Sequence, residues 1–360
     1  MIGIQIGKVK EILKENEEIT EVLVEIKNQC YKAVNYNQLT GQVKVGDSLL
    51  LNTTAVELAL GTGGYHFVIS NLDKPHRSLS KGGHIMKLRY SPFQLKVFAA
   101  EEQDSIYHDI FNQFETLDGM PVIVGTLHSM LPPVVEVLKS YQKDIKITYI
   151  MTDGAALPIA FSNIVKNLKD RKLIDGTITI GHAFGGDLEC INIYNGLIAA
   201  KEIQRCDVAV VAMGPGIVGT GTRFGFSGIE QGNIIDAVNH LGGRAVAIPR
   251  ISFADKRERH RGISHHTLTV LNQICNTSAF IGIPCFEESK LHYIQSQIQN
   301  TNIQTKHRVI YLSLEGILEI LKNSPIRLST MGRTLEQDEE YFVTAGIAGK
   351  LAFNLLNGCL

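Results

Sequence analysis

The run from Asp255 to Thr267, DKRERHRGISHHT, sets Lys256, Arg257, Arg259 and Arg261 beside His260, His265 and His266. Guanidinium groups clamp carboxylates and phosphates through paired hydrogen bonds, and an imidazole moves a proton near neutral pH. Such a run usually marks a solvated charged loop. Here it follows a strand-like segment and precedes a helical pattern, where α/β folds present ligand-binding residues, so at least one of Arg259, His260 and His265 is expected to contact a ligand.

A second run, GPGIVGTGTRFGFSG, carries glycines at 214, 216, 219, 221, 225 and 228 directly after the strand-like DVAVVAM. Without a Cβ, glycine lets backbone N–H groups approach an anion closely, and Arg223 or Arg259 could assist. Gly214, Gly216 and Gly219 satisfy G-x-G-x-x-G, yet a dinucleotide is disfavoured. Pro215 lacks an N–H, the next helix begins only near Glu230, and Arg250 stands where a ribose-binding acid belongs. A purely structural Gly-rich turn is the alternative.

The other polar segments also follow apolar runs. HAFGGDLE offers His182, Asp187 and Glu189, the mixture of imidazole and carboxylate that metal ligation or general acid–base chemistry requires. Against that, Asp187 could cap a helix beginning near Cys190, with Glu189 in its first turn. TDGAALP places Asp153 at a strand end, as a catalyst or as a helix cap, and His128 and Ser129 follow PVIVGTL as ligand-binding candidates. Tyr65, Arg89, Glu101, Asp104 and His108 read as structural.

The elements that must carry these residues alternate. After Gly119, PVIVGT, KITYIM, TITIG, DVAVVAM, RAVAIPRI and AFIGIP are each followed by a helical pattern, and a last strand lies near VIYLSL. This alternation predicts right-handed crossovers, hence a doubly wound, mostly parallel α/β sheet with helices on both faces. Its strands would deliver Asp153, His182, Gly214 and His260 to one edge and one cavity. Residues 1 to about 72 instead show short strand-like runs, a small β barrel or sandwich, in which Val45-Gly46-Asp47 suits a hairpin turn. The expected division is a β-rich domain with its connector over 1–95, the α/β domain over 96–330, and a C-terminal helical segment over 331–360 packed on it.

Composition narrows the function classes. The 360 residues are 44% hydrophobic, and 35 basic against 36 acidic residues leave a net charge of −1. There is no global field to gather nucleic acid or an anionic membrane, so nucleic acid is disfavoured and any anion must be held locally. The start MIGIQIGKVKEI lacks a signal-peptide pattern and no later stretch has 18 uncharged apolar residues, which predicts a cytoplasmic protein without a membrane partner. Six scattered cysteines form no C-x-x-C pair and read as buried free thiols. Homo-oligomerisation stays open.

The blocks LLLNTTAVELALGTGGYHFVI, KLRYSPFQ, DGMPVIVGTLHSMLP, YIMTDGAALP, GHAFGGDLE, GPGIVGTGTRFGFSG and RERHRGISHHT, in that order over about Leu49 to Thr267, together resemble the bacterial domain-of-unknown-function family 3866. That resemblance implies no activity, substrate or catalytic residue. Two functional readings follow from the residues. One is an enzyme acting on a small anionic or phosphorylated metabolite, with Asp153, His182, Asp187 or His260 handling protons and a divalent metal as a candidate cofactor. The other is a metabolite-sensing module whose β domain contacts protein or RNA. The concentration of imidazole and carboxylate on one rim favours chemistry.

Overall fold

The computed structural model describes residues 1–60, 63–79 and 81–359. Gly61 and Thr62 of the LGTGGYHF block lie outside the described residues. The chain divides into two units, Met1–Phe98 and Ala99–Leu360.

In the first unit, strands β1 (Ile4–Glu15), β2 (Ile19–Ile26), β3 (Gln29–Tyr36), β4 (Ser48–Asn52) and β5 (Tyr65–Asn71) close into a barrel of order β1-β2-β3-β5-β4. All neighbours are antiparallel except β3 and β5. Alternation drives the closure: Val22, Val24 and Ile26 are buried with Val9, Leu49, Leu51 and Val68, while the intervening positions of β2 face outward. The Val45-Gly46-Asp47 turn differs from expectation. It does not join a hairpin, because β3 and β4 are not partners in the barrel. Instead Gly46 N donates to Val9 O and Val9 N to Asp47 O, both at 2.9 Å, docking the turn on β1. Gly46 has φ +92°, which glycine adopts without strain. A short antiparallel pair, β6 (Ile85–Lys87) and β7 (Leu95–Val97), follows.

The second unit holds an open sheet of β8 (Pro121–Val124), β9 (Ile147–Thr152), β10 (Gly176–Thr179), β11 (Leu188–Glu189), β12 (Val208–Met213), β13 (Arg244–Ala247), β16 (Phe280–Pro284) and β17 (Arg308–Leu312). Between β13 and β16 the chain forms a separate antiparallel pair, β14 (Ile251–Ser252) and β15 (Gly262–Ile263). The eight sheet strands run parallel in the order β11-β10-β9-β12-β8-β13-β16-β17. Every residue of β8, β9, β10 and β12 is buried, as a sheet covered on both faces requires.

One face packs on helices Leu131–Tyr141, Asn163–Asp170, Ile317–Lys322 and Glu339–Leu356, through residues such as Val134, Leu168, Ile317 and Phe342. The other packs on Ile193–Ile198, Glu230–His240 and Glu288–Gln299, through Leu197, Ile234 and Ile294. The segment leaving β8 therefore crosses one face and that leaving the adjacent β12 crosses the other. Their carboxyl ends part there and leave the crevice expected at a topological switch point. Among the described residues, no helix is long and apolar enough to cross a membrane.

Three cysteines, Cys190, Cys206 and Cys275, are buried as expected, but Cys30, Cys285 and Cys359 are exposed.

Candidate functional site

Arg250 follows β13 and is buried, at 5% exposure. The β14–β15 pair folds the next loop over it, and one carboxylate organises that loop. Asp255 Oδ2 accepts from Arg250 Nη2 at 2.9 Å, and Asp255 accepts from Arg257 Nε at 3.0 Å and Arg257 Nη2 at 2.9 Å. The hydrogen bonds from Arg257, joined by those from Arg250, hold the Asp255 carboxyl far below the ordinary carboxylate range.

The second Arg250 amino group sets the state of His260. Arg250 Nη1 donates to His260 Nδ1 at 2.7 Å, and Ser264 Oγ lies 2.7 Å from the same nitrogen. A guanidinium is always a donor, so Nδ1 accepts and the imidazole proton sits on Nε2. Burial, reinforced by the charges of Arg250 and Arg257, pushes the pKa of His260 from 6.5 down to about 3. His266 stacks on Phe226 with ring centroids 3.9 Å apart, and burial and the adjacent His265 push it down to about 4. His265 is lowered too, by burial and then by Arg259, and its buried Nε2 has no partner among the described residues.

Of these groups Arg250, Arg257, His260 and His266, but not His265, border a cavity of about 200 Å³. Arg250, Arg257, Arg259, His260 and His266 line one side, Ile217 to Gly219 and Gly221 the other, with Leu127 and Met331 completing it. Met331 comes from the turn between β18 (Ser329–Thr330) and β19 (Arg333–Thr334).

The glycine loop is held at its base and open at its tip. Gly214 packs so tightly that a Cβ would fall 2.6 Å from Ala156 O, and Ala156 N donates to Pro215 O at 3.0 Å. Gly216 and Gly221 have φ of +112° and +80°. Gly219 needs neither: its backbone is outside the left-handed region, and a Cβ would stand 3.4 Å from His266 Cε1, at the cavity wall. Internal bonds such as Thr220 N to Gly225 O at 2.8 Å fix the loop, while the amides of Gly216, Gly219 and Gly221 have no protein partner among the described residues.

On the far side of the loop base lies a carboxylate pair. Asp153, just after β9, accepts from His182 N at 2.9 Å. Gly181, at φ +62°, permits this, since a Cβ there would fall 2.3 Å from Asp153 Oδ2. Beside them is Glu230, which sequence reading treated only as a helix start. Thr152 Oγ1 donates to Glu230 Oε1 at 2.6 Å, and a Cβ on Gly154 would stand 3.0 Å from both of its oxygens. Burial, with a contribution from the Asp153 charge, pushes Glu230 from 4.5 up to about 7. The available signal was positional: the first residue of a crossover helix returns to the strand ends it has just left.

The structure thus separates residues that strand-end placement grouped. Arg259, His260 and Gly219 share the cavity, whereas Asp153, His182 and Gly214 do not line it. The sheet places β13 and β9 on opposite sides of the β12–β8 pair, and the loop stands between their ends. His128 is interior: Tyr149 Oη donates to Ala212 O and so accepts from His128 Nδ1, while Nε2 faces Ser162 Oγ. Burial pushes it down to about 4. Ser129 binds Thr330 Oγ1 and Tyr341 Oη.

Asp187 caps no helix. It accepts from Thr177 N and Oγ1 at 2.9 Å and from Lys169 Nζ at 2.6 Å, fixing the lower edge of β10, and Asn192 caps the helix that starts at Ile193. Glu189 lies on β11 and accepts from Thr179 Oγ1. Arg223 is exposed over the Phe224 ring. Tyr65 donates to Glu21, and Glu101 accepts from Ile191 N and Asn195 Nδ2, so both have structural partners.

His260, His265 and His266 present ring nitrogens within 4.8 Å of one another, a grouping that could hold a divalent metal ion. What the fold and site define is an open, doubly wound α/β unit with an arginine- and imidazole-lined cavity at its strand ends, preceded by a barrel. The chain belongs to the family described as a protein of unknown function, DUF3866, whose model matches residues 32–349. No curated protein matches the chain.

Proposed function

We propose that the crevice binds a small anionic metabolite, phosphorylated or carboxylated, and that the protein is an enzyme acting on it. The observation that carries the anion reading is that every charged side chain lining the cavity is a guanidinium. Its polar side chains are three guanidinium groups and two imidazoles, one with its proton fixed on Nε2, opposite unpartnered glycine amides. Donors to a charged acceptor each contribute about 1.5–3 kcal/mol, so a few converging ones suffice for a small ligand. The same tautomer disfavours the metal alternative. A ligating imidazole normally donates its other N–H to an acceptor, and Arg250 occupies that position on His260 as a donor.

Support for chemistry comes from Glu230 and Asp153 across the loop. A carboxyl group titrating near 7 is suited to general acid–base work, whereas His260 and His266 stay neutral above pH 5, and His260 offers its Nε2–H as a donor. The absence of a charged acceptor from the cavity lining also favours a second reading, metabolite sensing without turnover, because binding needs no proton carrier at the anion itself. A ³¹P NMR survey of small phosphorylated metabolites tests both. Conversion by the wild type that is lost in Glu230→Gln supports the enzyme, shifted signals without conversion support the sensor, and unperturbed spectra throughout would overturn the proposal.

A further inference from the structure

We infer that the anion taken by this cavity is a dianion, a phosphate monoester rather than a carboxylate or a phosphodiester. The inference rests on the anion-binding reading above and adds the ligand's charge. Three guanidinium groups, those of Arg250, Arg257 and Arg259, line the cavity, and Asp255 is the carboxylate that meets them. That carboxylate is saturated by Arg250 and Arg257, so two positive charges remain without a counter-charge among the described residues.

The surplus is visible in unpartnered groups. Arg259 makes no ion pair or hydrogen bond among the described residues, and Arg250 keeps its Nε–H buried without an acceptor. Of the other charged groups in the loop, Lys256, Glu258 and Arg261 do not line the cavity; Glu258 accepts from Tyr293 Oη, and Arg261 lies over the Tyr293 ring. The imidazoles add no charge at neutral pH, consistent with the surplus around them.

Shape agrees with charge. The lining donors come from separate segments: Arg259 and His260 from the loop between β14 and β15, and the Gly219 and Gly221 amides from the loop after β12. A tetrahedral phosphoryl group turns three oxygens to such an arrangement, and a planar carboxylate only two. A volume of about 200 Å³ holds a phosphoryl group and a few carbon atoms, below the roughly 300–1,000 Å³ of pockets that enclose larger ligands.

The test is calorimetric titration of the full chain at pH 8 and constant ionic strength with methyl phosphate, dimethyl phosphate and acetate. Methyl phosphate is a dianion there, its second pKa being near 6, and the other two are monoanions. The expected result is methyl phosphate binding about tenfold or more tightly than either monoanion, because one further charge-assisted contact contributes at least that factor. A smaller preference overturns the dianion and leaves the anion site standing, whereas no binding of any of the three overturns the anion site itself. Arg259→Met, at an exposed position, should reduce the preference for methyl phosphate about tenfold. An unchanged preference in a folded variant also counts against the inference.

Discussion

Gly219 shows how one missing side chain serves the site. Gly214 is demanded by the approach of Ala156 O, and Gly216 and Gly221 by their positive φ, so those three would be glycine in an empty loop as well. Gly219 lies outside the left-handed region, and a Cβ there would stand 3.4 Å from both His266 Cε1 and Phe226 Cβ, so neither backbone strain nor a hard clash requires glycine there. Gly219→Val should therefore fill the cavity wall and lower phosphate affinity at least about tenfold. Its effect on unfolding should stay near the ±0.5 kcal/mol of an ordinary surface change. Phosphate titration and urea denaturation of the variant check this together, and undiminished binding would remove the site assigned to this loop. Gly221→Val, forced into a left-handed conformation, should destabilise the loop and is the contrasting control.

At the scale of elements, the β14–β15 segment combines the buried Ile251 and Ile263 with a buried charge pair. Arg250 and Asp255 side chains are 5% and 4% exposed, well outside the regime in which ion pairs contribute 0–1 kcal/mol. Removing one partner of a buried pair leaves the other charge uncompensated, at a cost of about 3–5 kcal/mol. Asp255→Asn should destabilise by an amount in that range and release amide protection at Gly262 and Ile263, read by urea unfolding and hydrogen exchange. A loss under about 1 kcal/mol would place the pair with solvated surface contacts. The sequence run DKRERHRGISHHT shows the charges and their position after a strand. That Asp255 pairs with both Arg250 and Arg257 depends on a hairpin of two-residue strands, too short to leave a periodic signal.

For the whole molecule, buried imidazoles set the response to acid. His128 and His266 fall to about 4 and His260 to about 3, against 6.5 when unfolded. A depressed pKa means that the folded state resists protonation, so their contribution is complete above about pH 6.5 and is lost as pH falls toward 4 and 3. Between pH 7 and 5 a fully buried group of this kind accounts for about 2 kcal/mol, less for the half-buried His266. Glu230 acts in the opposite sense. Raised from 4.5 to about 7, it favours the folded state at low pH and loses that contribution as pH rises through 7. The urea midpoint should thus drop between pH 7 and pH 5, and drop more steeply in Glu230→Gln. A midpoint that is flat or rises on acidification would show that the imidazoles are not buried neutral.

What the sequence determined by itself was the class of the second unit and the two contiguous runs that supply most of the cavity lining. Strands such as DVAVVAM and KITYIM are buried on both faces, so their apolarity is continuous and local, and the glycine loop and arginine run are contiguous in the chain. Residues meeting across the fold were not legible. The order of the strands placed Asp153 and His260 on opposite sides of the β12–β8 crevice, and a turn of the next helix brought Glu230 against Thr152. His128 follows a strand like the others, yet it turned inward because Tyr149 and Ser162, 21 and 34 residues away, offer it an acceptor and a hydroxyl. Strand-end position is a property of the chain, whereas the direction of a side chain from that end is decided by long-range packing and hydrogen bonding.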